Sequence, residues 1–244
     1  MSKTLLLFDM DGTLTPSRLP ITPEMKAYLQ SVSKTTDLAV VSGSNLPKLI
    51  EQLGSDIMTY FKWVLPDNGV LCYKNGELIS KKSMKEHIGQ EKFNKLVNFA
   101  LRAIADIDIP VKTGTFLELR SGNWNICPIG RDCTQSERIE FNKLDQELHI
   151  REKLIERIKG EFPDLDLTYA IGGQISFDVY PTGWDKTYAM NHVKDLYDRF
   201  VFFGDKTMPG GNDYDIAHCP LIHEVHQVDG PEHVMEIMKS LGYH

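Results

Sequence analysis

The chain has 244 residues, of which 41% are hydrophobic and 25% charged, enough apolar material for one large domain or two small ones. That excludes a disordered, collagen-like or repeat-array chain. The net charge of −7 excludes a dedicated nucleic-acid binder and requires any anionic ligand to meet a local cluster of Arg or Lys.

Thr4 to Phe8 is an apolar run that passes into Asp9-Met10-Asp11-Gly12-Thr13, the pattern of a buried strand entering a polar turn. Thr22 and Pro23 predict a helix start, as N-cap and first-turn proline. Leu38 to Val41 reads as a second strand ending in Ser42-Gly43-Ser44, with Leu46, Leu49, Ile50 and Leu53 at helical spacing behind it. Strand, small polar turn and helix alternate, as in a Rossmann-like parallel sheet. Beyond Trp63 to Leu65 and Asp67-Asn68-Gly69, Val70 to Tyr73 and Glu77 to Ile79 predict a hairpin turning at Asn75-Gly76.

The character changes after Ser80. Phe93, Leu96, Val97, Ala100, Leu101 and Ile104 form one helix stripe, and Phe116 to Arg120 and Trp124 to Cys127 read as strands. A helix pair from about Ser136 to Lys159 precedes Leu165 to Ile171 and the alternating strand Ile175 to Tyr180. The parallel pattern returns with a helix from Lys186 to Leu196, an apolar strand Phe200 to Phe203 ending in Gly204-Asp205, and a closing helix carrying Val234, Ile237, Met238 and Leu241. The fold class is therefore α/β: a parallel-sheet core, 1–82 with 185–244, and an inserted α+β cap, 83–184, holding an antiparallel sheet. Cys72, Cys127, Cys133 and Cys219 form no CxxC pair, so a reducing compartment is expected, and no run approaches the ~20 apolar residues of a membrane span. A cytoplasmic protein without membrane or nucleic-acid partners is the expectation.

In open parallel sheets ligands bind beyond the carboxyl ends of the strands, which collects Asp9, Asp11, Ser42, Ser44, Asp205, Asn212 and Asp213. Two carboxylates two positions apart, joined by a third from another strand end, make a hard oxygen-rich pocket suited to magnesium, and through it to phosphate. Asp9, first past its strand, is then the natural nucleophile toward phosphorus. Asp11 is the acid or base at the displaced oxygen, and Ser44 is a candidate substrate contact. Lys186, opening the helix after the insert, is placed to neutralise nucleophile and phosphate together. Taken alone, DxDG is as readily a turn with acidic side chains.

DMDGT after the first strand, SGS after the second, the helix-opening Lys186 and GDKTMPGGND from Gly204 to Asp213 resemble the four motifs of haloacid dehalogenase superfamily phosphotransferases. More narrowly, the chain resembles the eukaryotic phosphomannomutase family along nearly its whole length. The closest stretches are RxGxxNxxPIGRxCxxxERIEF from Arg120 to Phe141, GGQISFDVYPTGWDK from Gly172 to Lys186, and FFGDKTMPGGND from Phe202 to Asp213. The resemblance implies Asp9 as nucleophile and Asp11 as general acid/base, with magnesium on Asp9, the main-chain carbonyl of Asp11, and Asp205. It implies sugar-phosphate contacts from Arg18, Arg120, Arg131, Arg138, Ser176 and Asp178. The implied reaction interconverts mannose 6-phosphate and mannose 1-phosphate, feeding GDP-mannose synthesis, with a mannose or glucose 1,6-bisphosphate as activator and weaker use of glucose phosphates. A homodimer joined through the cap is also implied. One departure stands out: Cys219 occupies the place where family members often carry an Asp of a further cation site.

A phosphatase holds one phosphate, whereas a mutase passing through a bisphosphate must hold two, and the second needs its own cations. Arg120, Arg131 and Arg138 lie in the insert, and guanidinium forks bind phosphate oxygens in pairs. Singly each is as well a solvated ion-pair partner, Arg138 having Glu137 and Glu140 beside it. Ser176 and Asp178 leave the same strand face, which either meets sugar hydroxyls or faces water. The alternatives are a magnesium-dependent sugar-phosphate phosphatase and a non-catalytic sugar-phosphate-binding module. Against the latter, a pure binder gains little from two repelling carboxylates.

Overall fold

The computed structural model describes residues 3–244. Along the chain the strands are β1 (Thr4–Phe8), β2 (Asp37–Val41), β3 (Trp63–Leu65), β4 (Leu71–Lys74), β5 (Glu77–Lys81), β6 (Leu117–Leu119), β7 (Trp124–Ile126), β8 (Leu167–Gly172), β9 (Ser176–Pro181), β10 (Arg199–Gly204) and β11 (Glu224–Gln227). The chain divides into two compact units, Met1–Lys81 with Gly183–His244, and Lys82–Thr182.

The first unit is built on a seven-stranded sheet in the order β11-β10-β1-β2-β3-β4-β5. From β11 to β3 the strands run parallel, and β4 and β5 finish the sheet as an antiparallel hairpin. Side chains alternate across a strand, so each central strand feeds two cores. Leu6, Phe8, Leu38, Val40, Val201 and Phe203 pack with Met25, Leu29, Val32, Val234 and Met238 on one face. Leu5, Leu7, Ala39, Val41, Phe200 and Phe202 pack with Ala189, Met190 and Val193 on the other. Burial of each large apolar side chain is worth roughly 1.5–3 kcal/mol, and it is this double-sided burial that holds the strands in register.

Local chemistry explains the element ends. The Thr22 hydroxyl accepts from the Met25 N–H at the start of the Pro23–Val32 helix. Asn75 and Gly76 both have positive φ, 50° and 83°, the two-residue turn that matches the twist of a hairpin. Two expectations need correction. The segment from Lys186 is not an α-helix to Leu196 but a 3-10 helix, Lys186–His192, followed by turns. It is held tightly against the Asp67–Gly69 turn: His192 Nε2 meets the Gly69 carbonyl at 2.8 Å, and a Cβ on Gly69 would lie 2.7 Å from the Ala189 Cα. The sheet also gains an edge strand that the sequence pattern did not suggest, β11, where His226 stacks on Phe203 at 4.9 Å.

The second unit carries an antiparallel four-stranded sheet in the order β6-β7-β9-β8. Trp124, Ile126, Phe177 and Val179 form its buried face, with the Gln90–Ala105, Gln135–Leu148 and Ile150–Glu161 helices in the same unit. Thr134 and Glu137 close a reciprocal capping box at the start of the second of these helices. No helix among the described residues is long and apolar enough to cross a membrane.

Candidate active site

Register brings the acidic residues of the first unit together. Phe8 of β1 lies opposite Phe203 of β10, and the Asp9 N–H donates to the Phe203 carbonyl at 2.9 Å. The residues just past the two strands, Asp9 and Asp205, therefore meet at the carboxyl edge of the sheet, the ligand edge of an open parallel fold. Asp213 joins them from the loop after β10, with carboxylate oxygens of the three within 4.8 Å of one another. Gly12 makes the approach possible: its φ is +83°, and a Cβ there would lie 2.5 Å from Asp205 Oδ2. Gly12→Ala is expected to lower the melting temperature and to reduce kcat at least tenfold, because a left-handed residue costs about 1–2 kcal/mol and Asp205 must also move. Thermal unfolding followed beside turnover checks this, and wild-type kcat would contradict it.

Lys186 sits inside this cluster, 3% exposed. Its Nζ donates to Asp9 Oδ1, and to Asp213 Oδ1 at 2.5 Å. Burial opposes the charge on Lys186, but the charges of Asp9 and Asp213 and the hydrogen bonds to them outweigh it and raise its pKa. Burial also pushes the Asp9 carboxyl up, to about 6; Lys186 draws it down, while Asp213 and Asp205 push it further up. Asp9 thus faces an ammonium whose charge offsets part of the cost of burying its carboxylate. Burial raises Asp205 as well.

The oxygens divide into used and unused. Both oxygens of Asp213 have donors, Lys186 Nζ and the Lys206 N–H, the latter at 3.1 Å. Asp9 Oδ2 and Asp205 Oδ1 are buried without a hydrogen-bond partner. An unpartnered buried carboxylate oxygen is costly. Three carboxylates face two ammonium groups, the buried Lys186 and the exposed Lys206, whose Nζ lies 3.5 Å from Asp205 Oδ2. One formal negative charge and two unpartnered oxygens remain, so the donor set fits a hard divalent cation, held by Asp9 and Asp205 in preference to the already committed Asp213.

Asp11 faces elsewhere. Its Oδ1 accepts from the Arg18 backbone N–H at 2.9 Å and from Gln52 Nε2 at 2.9 Å. The second carboxylate of the motif is therefore held away from Lys186 and oriented by neutral donors. Arg18 is exposed, and its backbone amide, not its guanidinium, makes this contact. Ser42 is buried at the end of β2 and its hydroxyl accepts from the Ser44 N–H at 3.1 Å; Ser44 is half-buried, and its carbonyl accepts from the Asp67 N–H. Gln52 did not emerge from the sequence. Its signal was there, a polar side chain on the helix face that also buries Leu49 and Leu53.

In the second unit four expected residues come together on the polar face of the sheet. Arg120 Nη2 donates to Glu118 Oε2 at 2.8 Å, and Arg131 Nε lies 3.0 Å from the same oxygen. Arg120 Nη1 lies 4.0 Å from Asp178. Asn125, the Asn of the RxGxxNxxPIGR stretch, bonds to Arg131, Ser176 and Asp178. Arg138 is half-buried on the Gln135–Leu148 helix and takes no part in these side-chain hydrogen bonds.

Residues 25–242 match the model of a protein family described as eukaryotic phosphomannomutase. The chain is 47% identical over 241 residues to "Phosphomannomutase 1" of Dictyostelium discoideum, covering 98% of this chain and 97% of that protein. It is 50% identical over 216 residues to a phosphomannomutase of Dendrobium officinale, covering 88% and 85%. Among solved structures it is similar to a haloacid dehalogenase-like hydrolase from Bacteroides thetaiotaomicron, with a TM-score of 0.62 at 14% identity, covering 98% of this chain and 99% of the other. That last likeness speaks to the fold alone.

Proposed function

This chain belongs to the eukaryotic phosphomannomutase family, and from that premise we propose how its residues interconvert mannose 6-phosphate and mannose 1-phosphate. Asp9 is the nucleophile. Its ionised carboxylate attacks the phosphorus of a hexose 1,6-bisphosphate, the new bond to Asp9 forms as the phosphorus–sugar oxygen bond breaks, and the hexose monophosphate leaves. Asp11 protonates the departing sugar oxygen; when the other hydroxyl of a monophosphate attacks the aspartyl-phosphate, Asp11 takes that proton back. Phosphate returns to the sugar at the position it did not previously occupy, so atoms and charge balance over the cycle.

The observation that carries this reading is the division of labour between the two carboxylates. Asp9 is buried beside an ammonium at the strand end, while Asp11 is turned toward Gln52 and the Arg18 amide. The runner-up, a phosphatase, does not explain the guanidinium groups gathered in the second unit. We assign the phosphate remote from the reacting one to that face, with Arg120 and Arg131 as its cations and Ser176 and Asp178 toward the sugar; Arg18, Arg138 and Ser44 are further substrate contacts. Magnesium on Asp9, Asp205 and the Asp11 carbonyl would neutralise charge on the transferring phosphoryl group. Lys186 holds Asp9 oriented and compensates its charge. A hexose 1,6-bisphosphate as activator, a cytoplasmic location, a homodimer joined through the inserted unit, a role in supplying GDP-mannose synthesis and a weaker phosphoglucomutase activity complete the proposal.

A coupled assay comparing mannose 1-phosphate and glucose 1-phosphate, with and without the bisphosphate, tests it. The expected result is a positional isomer as product, more from mannose 1-phosphate, with turnover rising on addition of the activator. Inorganic phosphate without any isomer would transfer the chain to the phosphatase reading.

A further inference from the structure

The register of the antiparallel sheet sets Glu118, Asn125 and Asp178 in one row: Glu118 lies opposite Asn125, and Asn125 opposite Asp178. Their neighbours Trp124, Ile126, Phe177 and Val179 turn to the buried face, so the row lies on the polar one. Asn125, at the centre of the row, is only 4% exposed despite being polar. Its bonds account for that burial. Nδ2 donates to Asp178 Oδ1 at 2.8 Å and to Ser176 Oγ at 3.2 Å, while Oδ1 accepts from Arg131 Nη1 at 2.7 Å.

We propose that Asn125 is a positioning residue for sugar-phosphate binding: it fixes the Arg131 guanidinium plane and makes Ser176 a donor, without itself touching the ligand. This rests on the reading of the polar face as the remote-phosphate site. Two nitrogens of Arg131 have partners: Nη1 donates to Asn125 Oδ1, and Nε is ion-paired with Glu118 Oε2 at 3.0 Å. A planar guanidinium held at two nitrogens has a fixed plane, and its remaining N–H groups form a fork with a defined direction. Ser176 Oγ receives a hydrogen from Asn125, which leaves its own O–H as the donor for a sugar or phosphate oxygen in the bound state. The task needs an amide. A carboxylate would lose both donors and set a like charge 2.8 Å from Asp178; an alkyl group would leave Arg131, Ser176 and Asp178 unpaired.

The experiment measures KM and kcat for mannose 1-phosphate at saturating bisphosphate, together with thermal midpoints, in Asn125→Ala, the isosteric Asn125→Asp, Arg131→Ala and the double variant Asn125→Ala/Arg131→Ala. Both Asn125 variants are expected to raise KM about tenfold, the loss of roughly one charge-assisted hydrogen bond, with kcat changed by less than about twofold. Because Asn125 acts largely through Arg131, the double variant should raise KM by clearly less than the product of the two single effects. Unchanged KM in both Asn125 variants while Arg131→Ala raises it would overturn the positioning role alone. So would a fall in kcat and thermal midpoint with KM unmoved, the mark of a purely structural residue. Unchanged KM in Arg131→Ala would overturn the remote-phosphate reading beneath it, and the inference with it.

Discussion

Asp9→Asn is expected to lower mutase turnover by roughly 10⁴-fold or more, the scale seen when a covalent nucleophile is removed, and to abolish phosphoenzyme formation. The amide keeps the shape of the carboxylate but offers no anionic oxygen to phosphorus. The fold should survive, because Asn fills the same volume and Lys186 keeps its second partner, Asp213. Burial already raises the Asp9 carboxyl, so removing its charge relieves a desolvation cost while it forfeits the attraction to Lys186. Acid quench after mixing with a phosphoryl-labelled bisphosphate reads the covalent intermediate directly. Label retained on Asp9→Asn, or full turnover by it, would end the aspartyl-phosphate mechanism.

Lys186→Met should produce the largest loss of stability among single substitutions at this site, about 3–5 kcal/mol, since it leaves buried charge without its partner. The ammonium is almost fully enclosed and bonded to two carboxylates, so water cannot replace it. The effect has a definite pH sign. Asp9 stands above its ordinary value through burial, and losing Lys186 removes the main influence that draws it down. A carboxyl whose folded pKa exceeds the unfolded one binds its proton more tightly in the native state. Its ionisation therefore subtracts stability as pH rises from about 4 through the folded value, so the deficit should be larger at pH 8 than at pH 5. Melting curves of wild type and variant at both values, without added divalent cation, test this. An equal deficit at the two pH values would show that Lys186 matters for packing and not for charge.

Much of the fold was legible because its signals are local. The apolar runs in β1, β2 and β10 are buried on both faces and show as continuous hydrophobic stretches; the Asn75-Gly76 turn carries its own backbone preference; and Thr22-Pro23 marks a helix start by chemistry confined to a few residues. The segment from Lys186 misled for the opposite reason. Its side-chain pattern permits an α-helix, but the segment packs closely against Gly69, over a hundred residues earlier in the chain, and adopts the tighter 3-10 geometry, which no local pattern announces. The edge strand β11 was missed because a half-exposed strand of Glu, Val, His and Gln carries little hydrophobic signal.

The same division runs through the site. Sequence alone determined which strand ends carry carboxylates and that the insert supplies its own arginines, which follow from residue type and place in the chain; the phosphotransferase reading came from the resemblance of whole segments to a known family. Only the tertiary structure decided that Lys186 bonds Asp9 and Asp213 at once, that Gln52 turns Asp11 aside, and that Asn125 ties Arg131 to Ser176 and Asp178. All but the Asn125–Arg131 bond join residues distant in the chain. Their geometry is set by strand register and burial, which no local run of side chains encodes.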